Sequence, residues 1–223
     1  SGKLKRSKKQ QEALQALTIS PLEKGNNDFS TAIWSQLKNK NFVGEISQPV
    51  EIYSWQQSLG NKPIANASDR LTLNKSQALA LSQILFQQGF VAWLLDGVTG
   101  SGKTEIYLQL IEETLKQDKQ VLVLVPEIGL TPQTLQRFQA RFNVKIDMLH
   151  SNLNDTQRLQ VWQRARTNQN AIIIGTRSAL FTPFSQLGLI VIDEEHDASF
   201  KQQEGWRYHA RDLAVMYAKQ LDI

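Results

Sequence analysis

The sequence predicts an α/β fold: a parallel sheet covered by helices on both faces, bearing a phosphate-binding loop and preceded by a small N-terminal domain. Three observations lead there. Short apolar runs at Val121–Val125, Ile146–Leu149, Ala171–Ile174 and Leu189–Ile192 alternate with helical stretches at Gln133–Phe142 and Asp155–Arg166, the pattern of strands buried on both sides. Gly97-Val98-Thr99-Gly100-Ser101-Gly102-Lys103-Thr104 satisfies the spacing G-x-x-x-x-G-K-[ST]. The last apolar run ends in Asp193-Glu194-Glu195-His196, and the carboxyl end of a parallel strand is where α/β sheets hold ligands.

The elements follow in chain order. Residues 4–17 read as a helix whose apolar face is Ala13, Leu14, Ala16 and Leu17. Ser20-Pro21 opens a second short helix or turn, which Lys24–Asp28 breaks. Ser30 can cap a third helix running to about Lys40, with Ala32, Ile33, Trp34 and Leu37 toward a core. Phe42–Ile46 and Val50–Tyr53 read as two short strands joined at Ser47-Gln48-Pro49. Three helices and a β-ribbon form a winged-helix outline over residues 1–54, in which the third helix reads DNA, with Lys38 and Lys40 at its basic end. Winged helices also bind proteins, and the outline leaves both readings open. Residues 55–70 are polar, with Gly60 and Pro63, and read as a linker. From residue 71 the α/β domain begins, with Asn74 capping its first helix. Val91–Leu95 is expected to be a buried strand feeding the glycine loop, and Glu105–Lys116 a helix leaving it.

That strand–loop–helix order is what a phosphate site requires. Glycines let the backbone turn its N–H groups toward an anion, and the helix N-terminus adds its positive end. Gly97, Thr99, Gly100, Ser101 and Gly102 would form the cradle. Lys103 would reach the β- and γ-phosphates, and Thr104 would hold Mg²⁺. Asp193 would hold the same ion through water, and Glu194 would act as general base for an attacking water. His196, directly after the acids, is a candidate for coupling the nucleotide to a second ligand.

Composition sets bounds. The chain of 223 residues is 41% hydrophobic, has no cysteine and carries a net charge of +4, which excludes disulfides and cysteine-ligated zinc. Residues 1–65 hold nine basic and five acidic residues, and the remainder sixteen of each. The excess therefore sits in the first third, where a polyanion partner and a solubilising tail are equally served. No apolar run approaches the ~20 residues of a transmembrane helix.

Asp96–Glu105, Val125–Gln133, Gly175–Phe181, Asp193–Asp197 with Lys201–Gly205, and Arg207–Ala214 resemble the motifs of the PriA family, the bacterial replication-restart helicases of superfamily 2 also called primosomal protein N′. The resemblance is strong over residues 71–215. Over 1–65 only the winged-helix outline and its position agree. It implies a RecA-like first helicase lobe at 71–223, incomplete without a second lobe, and it implies ATP and Mg²⁺ as cofactors.

Residue by residue, Lys103, Thr104, Asp193 and Glu194 take the roles given above. Gln77, twenty residues before Gly97, is similar to a glutamine that reads adenine. Thr131, Thr176 and Arg177 match motifs that hold single-strand phosphates. Phe200, Trp206, Tyr208 and His209, interleaved with Lys201, Arg207 and Arg211, match an aromatic-rich loop that stacks on unpaired bases. Phe200 stands where many relatives have Tyr, and Asn152 replaces the small residue expected after His150-Ser151.

The implied activity is an ATP-dependent 3′→5′ DNA helicase of replication-fork restart. Its partners would be single-stranded and forked DNA, primosome proteins and single-strand-binding protein, in the bacterial cytoplasm at the nucleoid, with no membrane partner. Zinc is expected only in another part of the longer protein. So is an arginine finger, a contribution of ~10³-fold or more, so this chain alone is expected to turn ATP over weakly. A DNA-dependent ATPase that remodels complexes without unwinding, or a DNA- or protein-binding module, are the alternatives.

Overall fold

The computed structural model describes residues 8–19, 22, 28–45, 51–87, 89–98 and 100–223. The chain divides after Glu51 into two compact units. In the first, α1 (Lys8–Ile19) and α2 (Thr31–Asn39) bury Ala13 and Leu37 completely. Gln10 Nε2 donates to Gln36 Oε1 at 2.5 Å, and Trp34 stands edge-on to Phe29 with ring centres 5.6 Å apart. Ser30 sits at the cap position of α2 with extended backbone but makes no side-chain cap bond. Phe42–Glu45 and Glu51–Tyr53 are not strands. The expected turn at Ser20–Pro21, the break at 24–27 and the ribbon turn at 46–50 lie outside the described residues.

The second unit contains α3 (Trp55–Leu59), α4 (Lys75–Leu85), α5 (Lys103–Lys116), β1 (Gln120–Leu124), α6 (Pro132–Arg141), β2 (Ile146–Leu149), α7 (Asp155–Arg166), β3 (Ile172–Gly175), β4 (Leu187–Ile192), β5 (Lys201–Gln202), β6 (Tyr208–His209) and α8 (Ala210–Leu221). The first four strands form one parallel sheet in the order β2-β3-β1-β4. Every residue of β1 and β3 is buried. Alternation along them separates two cores, as the two-residue strand period demands. Val121, Val123, Ile172 and Ile174 face Trp55, α5 and α6, whereas Leu122, Leu124 and Ile173 face α7 and α8. Each fully buried aliphatic side chain contributes about 1.5–3 kcal/mol, so these two layers are the main source of stability. Among the described residues no helix is long and apolar enough to cross a membrane.

Two expectations fail here. Residues 55–70 are no free linker: Trp55 is 1% exposed in the first core, with Leu59, Ile64 and Ala65 against it. Asn66 N–H donates to Arg141 C=O at 2.9 Å. A polar run with one large aromatic can still dock by that single ring. Val91–Leu95 is not a strand, and Val91, Trp93 and Leu94 are exposed. An apolar run specifies a wish for burial but not an edge to pair with. The segment pairs with no strand of the β2-β3-β1-β4 sheet.

Behind the glycine loop, α5 and α6 are joined by buried charge. Arg141, 2% exposed in its side chain, donates to Glu105 at 3.4 Å and Glu112 at 3.2 Å. Gln109 donates to Glu105 at 2.8 Å and accepts from Arg70 at 3.0 Å, and Lys116 pairs with Glu112 at 3.0 Å. Removing one partner of such a set strands a buried charge. Arg141→Ala is expected to lower unfolding stability in urea by about 3 kcal/mol, the low end for a broken buried pair because both glutamates keep another partner. An unchanged midpoint would show the network to be solvated.

Candidate active site

Glycine places the loop. Gly100 and Gly102 have φ of +81° and +82°, a region side chains rarely enter. A Cβ on Gly102 would also lie 2.4 Å from Gln77 Nε2. The turn delivers the chain into α5 with no side-chain cap; Glu105 N–H closes on Gly102 C=O at 3.0 Å, and the N–H groups before it have no acceptor in the helix ladder. Lys103 Nζ lies over this loop and donates to the carbonyls of Gly97 and Val98, the latter at 3.2 Å. Uncapped amides, left-handed glycines and an ammonium over the turn fit a phosphate chain. Thr99 lies outside the described residues.

Gln77 caps and braces. Its Oε1 accepts from Asn74 N–H at 2.8 Å while its Nε2 donates to Ser101 C=O at 2.8 Å. The residue expected to read adenine thus ties the start of α4 to the loop.

The acids arrive by sheet pairing. Asp193 N–H donates to Leu124 C=O at 2.9 Å, extending the β4–β1 ladder by one residue. Tyr107, one turn along α5 from Lys103 and Thr104, then closes the site. Its hydroxyl donates to Asp193 Oδ2 at 3.3 Å and contacts the Thr104 side chain. Glu194 N–H donates to Asp193 Oδ1 at 3.1 Å. Burial first, then the neighbouring Glu194 charge, push the Asp193 carboxyl above its usual range. Burial and the Asp193 charge push the Tyr107 phenol up to about 12. Threonine hydroxyl and carboxylate are the hard oxygen donors that suit Mg²⁺. Tyr107 escaped sequence reasoning; its signal was one turn of spacing from Thr104, which an amphipathic reading assigns to packing.

Glu194 has φ +50° and a largely exposed side chain, 3.6 Å from His196 Nε2. Glu195 pairs with Arg211 at 2.8 Å, and Arg211 also meets Asp212 at 3.3 Å, so that exposed cation is shared between two carboxylates.

The expected DNA contacts divide. Phe200 is 1% exposed within the second core, so it does not stack on bases. It lies where the acid turn re-enters the fold, and a ring in a polar stretch buries whenever a core is within reach. Thr176 is buried, its N–H donating to Leu149 C=O at 3.3 Å, which leaves little of it for a phosphate. Thr131 caps α6 by accepting from Thr134 N–H at 3.2 Å. Arg177 turns inward, donating to Ser199 C=O at 2.7 Å. His209 caps α8 through Nδ1, which accepts from Arg211 N–H at 3.3 Å. Lys201, Trp206 and Arg207 are exposed, and Tyr208 is half-buried. In the first unit, Lys38 pairs with Glu45 at 3.2 Å, and Lys40 ends α2.

A glycine loop whose threonine is linked through Tyr107 to a strand-end aspartate defines a P-loop ATPase lobe. Residues 74–221 match the DEAD/DEAH box helicase family, and the chain belongs to that family. Membership implies use of ATP and Mg²⁺. Over 222 residues, all of this chain, it is 72% identical to the replication restart protein PriA of Haemophilus influenzae. It is 50% identical over 162 residues to the protein of the same name from Synechocystis. It spans 30% and 20% of the lengths of those two relatives. The fold is similar to that in a structure of RecG bound to a three-way DNA junction, with a TM-score of 0.51 and 22% identity, covering 67% of this chain and 23% of that one.

Two outcomes are expected. A folded Tyr107 pKa near 12, above the free value of about 10, means that its contribution to stability is complete below pH 10 and is lost as pH rises toward 12. An ultraviolet phenolate titration should show this late ionisation and lose it in Tyr107→Phe. Asp193 also has a raised folded pKa, so its charge costs stability above that value. Asp193→Asn should therefore raise the melting temperature at pH 7 while weakening Mg²⁺-dependent nucleotide binding. A lowered melting temperature would show the carboxylate to be a net structural anchor.

Proposed function

We propose that this chain is the ATP-binding lobe of an ATP-dependent DNA helicase that moves 3′→5′ and restarts stalled replication forks, with the first unit, through Glu51, as an accessory domain whose described part is helical. The observation that supports it most is the meeting of Lys103, Thr104 and Asp193 across α5 and β4, bridged by Tyr107 at 3.3 Å from Asp193. Lys103 exchanges its two loop carbonyls for the β- and γ-phosphates. Thr104 and Asp193 would hold Mg²⁺, which would supply positive charge against that building on the transferring phosphoryl oxygens. Glu194, solvent-facing beside Asp193, orients and deprotonates the attacking water. Gln77 keeps the loop in register through Ser101 and reads the base with its remaining amide capacity.

Single-stranded and forked DNA would run over the strand ends, on Lys201, Trp206, Arg207 and Tyr208. Aromatic faces and nearby cations suit backbone tracking without sequence readout. The 72% identity to a PriA protein supports fork restart as the setting, primosome proteins and single-strand-binding protein as partners, and the bacterial nucleoid as the place. Lys38 and Lys40 of the first unit would add phosphate contacts, Lys38 weakly because Glu45 already pairs with it.

The test is binding of a fluorescent ATP analogue with and without Mg²⁺. Lys103→Ala should weaken binding by about tenfold or more, the loss of a charge-assisted contact of ~1.5–3 kcal/mol. Equal binding by the variant would refute a nucleotide site at this loop and favour a binding module.

A further inference from the structure

Phe181 is an exposed ring with no part in the nucleotide site. It ends the short helical segment Arg177–Phe181 that follows β3, and it is 42% exposed. Two rings from the hairpin loop pack on it. Trp206 lies 6.0 Å away, tilted by 32°, and Tyr208 lies 5.3 Å away, edge-on at 80°. Trp206 and Tyr208 are themselves 5.9 Å apart, closing a triangle. Such offset and edge-on pairs are favourable beyond the area they bury.

The loop needs this seat. Its only ladder is two residues long, Lys201–His209 and Gln202–Tyr208, and a pair of strands that short is marginal by itself. Gly205, at φ +68°, makes the turn that throws Trp206 outward. The base of the loop is fixed by buried Phe200 and by the Arg177–Ser199 hydrogen bond. Its outer end rests on Phe181. Trp206 nevertheless keeps 72% of its surface exposed, so the indole is supported on one side and open on the other. Lys201 and Arg207 stand exposed on the same hairpin.

We propose that Phe181 is the positioning residue of a base-stacking platform: it holds Trp206 and Tyr208 as a preformed stack, onto whose open indole face an unpaired nucleobase adds. The inference rests on the proposed single-strand contact at this loop and adds to it a ring from a different segment. Preorganisation is the physical gain, because a loop already ordered loses less entropy when a base arrives.

The experiment is fluorescence anisotropy of a labelled oligothymidylate with the whole chain and with Phe181→Ala, Phe181→Leu, Phe181→Tyr, Trp206→Ala and the Phe181→Ala/Trp206→Ala pair. Binding of a fluorescent ADP analogue serves as the control for the fold. Phe181→Ala and Phe181→Leu should weaken oligonucleotide binding by about tenfold, the scale of one or two ring pairs, with Phe181→Tyr close to the parent. The double variant should bind more tightly than the product of the two single effects predicts, since the seat acts largely through the indole. Iodide should quench the Trp206 part of the emission more strongly in Phe181→Ala. ADP binding should stay within about twofold of the parent throughout, since no ring of the triangle touches the glycine loop.

Weakening by Trp206→Ala with parent-like binding by Phe181→Ala and Phe181→Leu would overturn the seat. So would strict additivity in the double variant. Parent-like binding by Trp206→Ala would overturn the underlying reading, that bases stack at this loop.

Discussion

The parallel pairing of β1 between β3 and β4 is the constraint on which the rest of the unit depends. Leu124 pairs with both Gly175 and Ile192, so three strands end level. The ladder runs one step further on each side, Val125 N–H to Gly175 C=O and Asp193 N–H to Leu124 C=O, both at 2.9 Å. Buried peptide groups are satisfied only in that register. Segments 125–131, 176–181 and 193–200 must then leave the sheet at one edge. Gly175 enforces closeness there, since a Cβ would meet Ala179 at 2.5 Å and Leu149 C=O at 2.6 Å. Chemistry gathers at this edge because geometry gives the three connections nowhere else to emerge.

The opposite end of the sheet is built for stability alone. Gln120 is fully buried, yet its amide is fully used. Its Nε2 donates to Ala165 C=O and Asn170, and its Oε1 accepts from Ser185 and Gln186 N–H groups at 3.0–3.1 Å. Asp147 accepts two bonds from Arg164 at 2.8 and 2.9 Å and one from Asn170. A satisfied polar network is neutral or favourable, and a half-satisfied one is costly. At the other end Asp193 is partly desolvated beside Glu194, and Glu194 is held in a left-handed conformation. Strain at one end is sustained by closure at the other.

The parts legible in the sequence were those whose signal is local. The glycine loop, β1, α7 and the Asn74 cap follow from spacing and turn chemistry within a few residues, and each forms within a residue or two of its expected bounds. The parts that were not legible depend on partners distant in sequence. Trp55 looks like a lone aromatic in a polar run until Phe138 and Leu115 are beside it. Val91–Leu95 carries strand composition but pairs with no strand of the sheet. Phe200 and Trp206 both read as aromatics in a polar loop; one meets a core and the other meets water. Tyr107 has the sequence profile of packing, and only β4 arriving alongside turns its hydroxyl toward Asp193.

That Phe200 is buried strengthens the case for communication between the two halves of the site. A loop tied to the acids only by chain continuity would move without consequence for them. Here six residues separate Asp193 from Phe200, and within them Asp197 caps the next turn by accepting from Ser199 N–H at 2.7 Å. Arg177 then bonds Ser199 C=O, binding this turn to the segment that ends in Phe181. The aromatic triangle and the turn that holds the acids are therefore joined through both the Arg177 bond and the buried Phe200 ring. Packed interiors transmit shifts because they have no slack to absorb them. Coupling between a nucleic acid at the loop and a nucleotide at Lys103 would thus travel through two short, anchored connections.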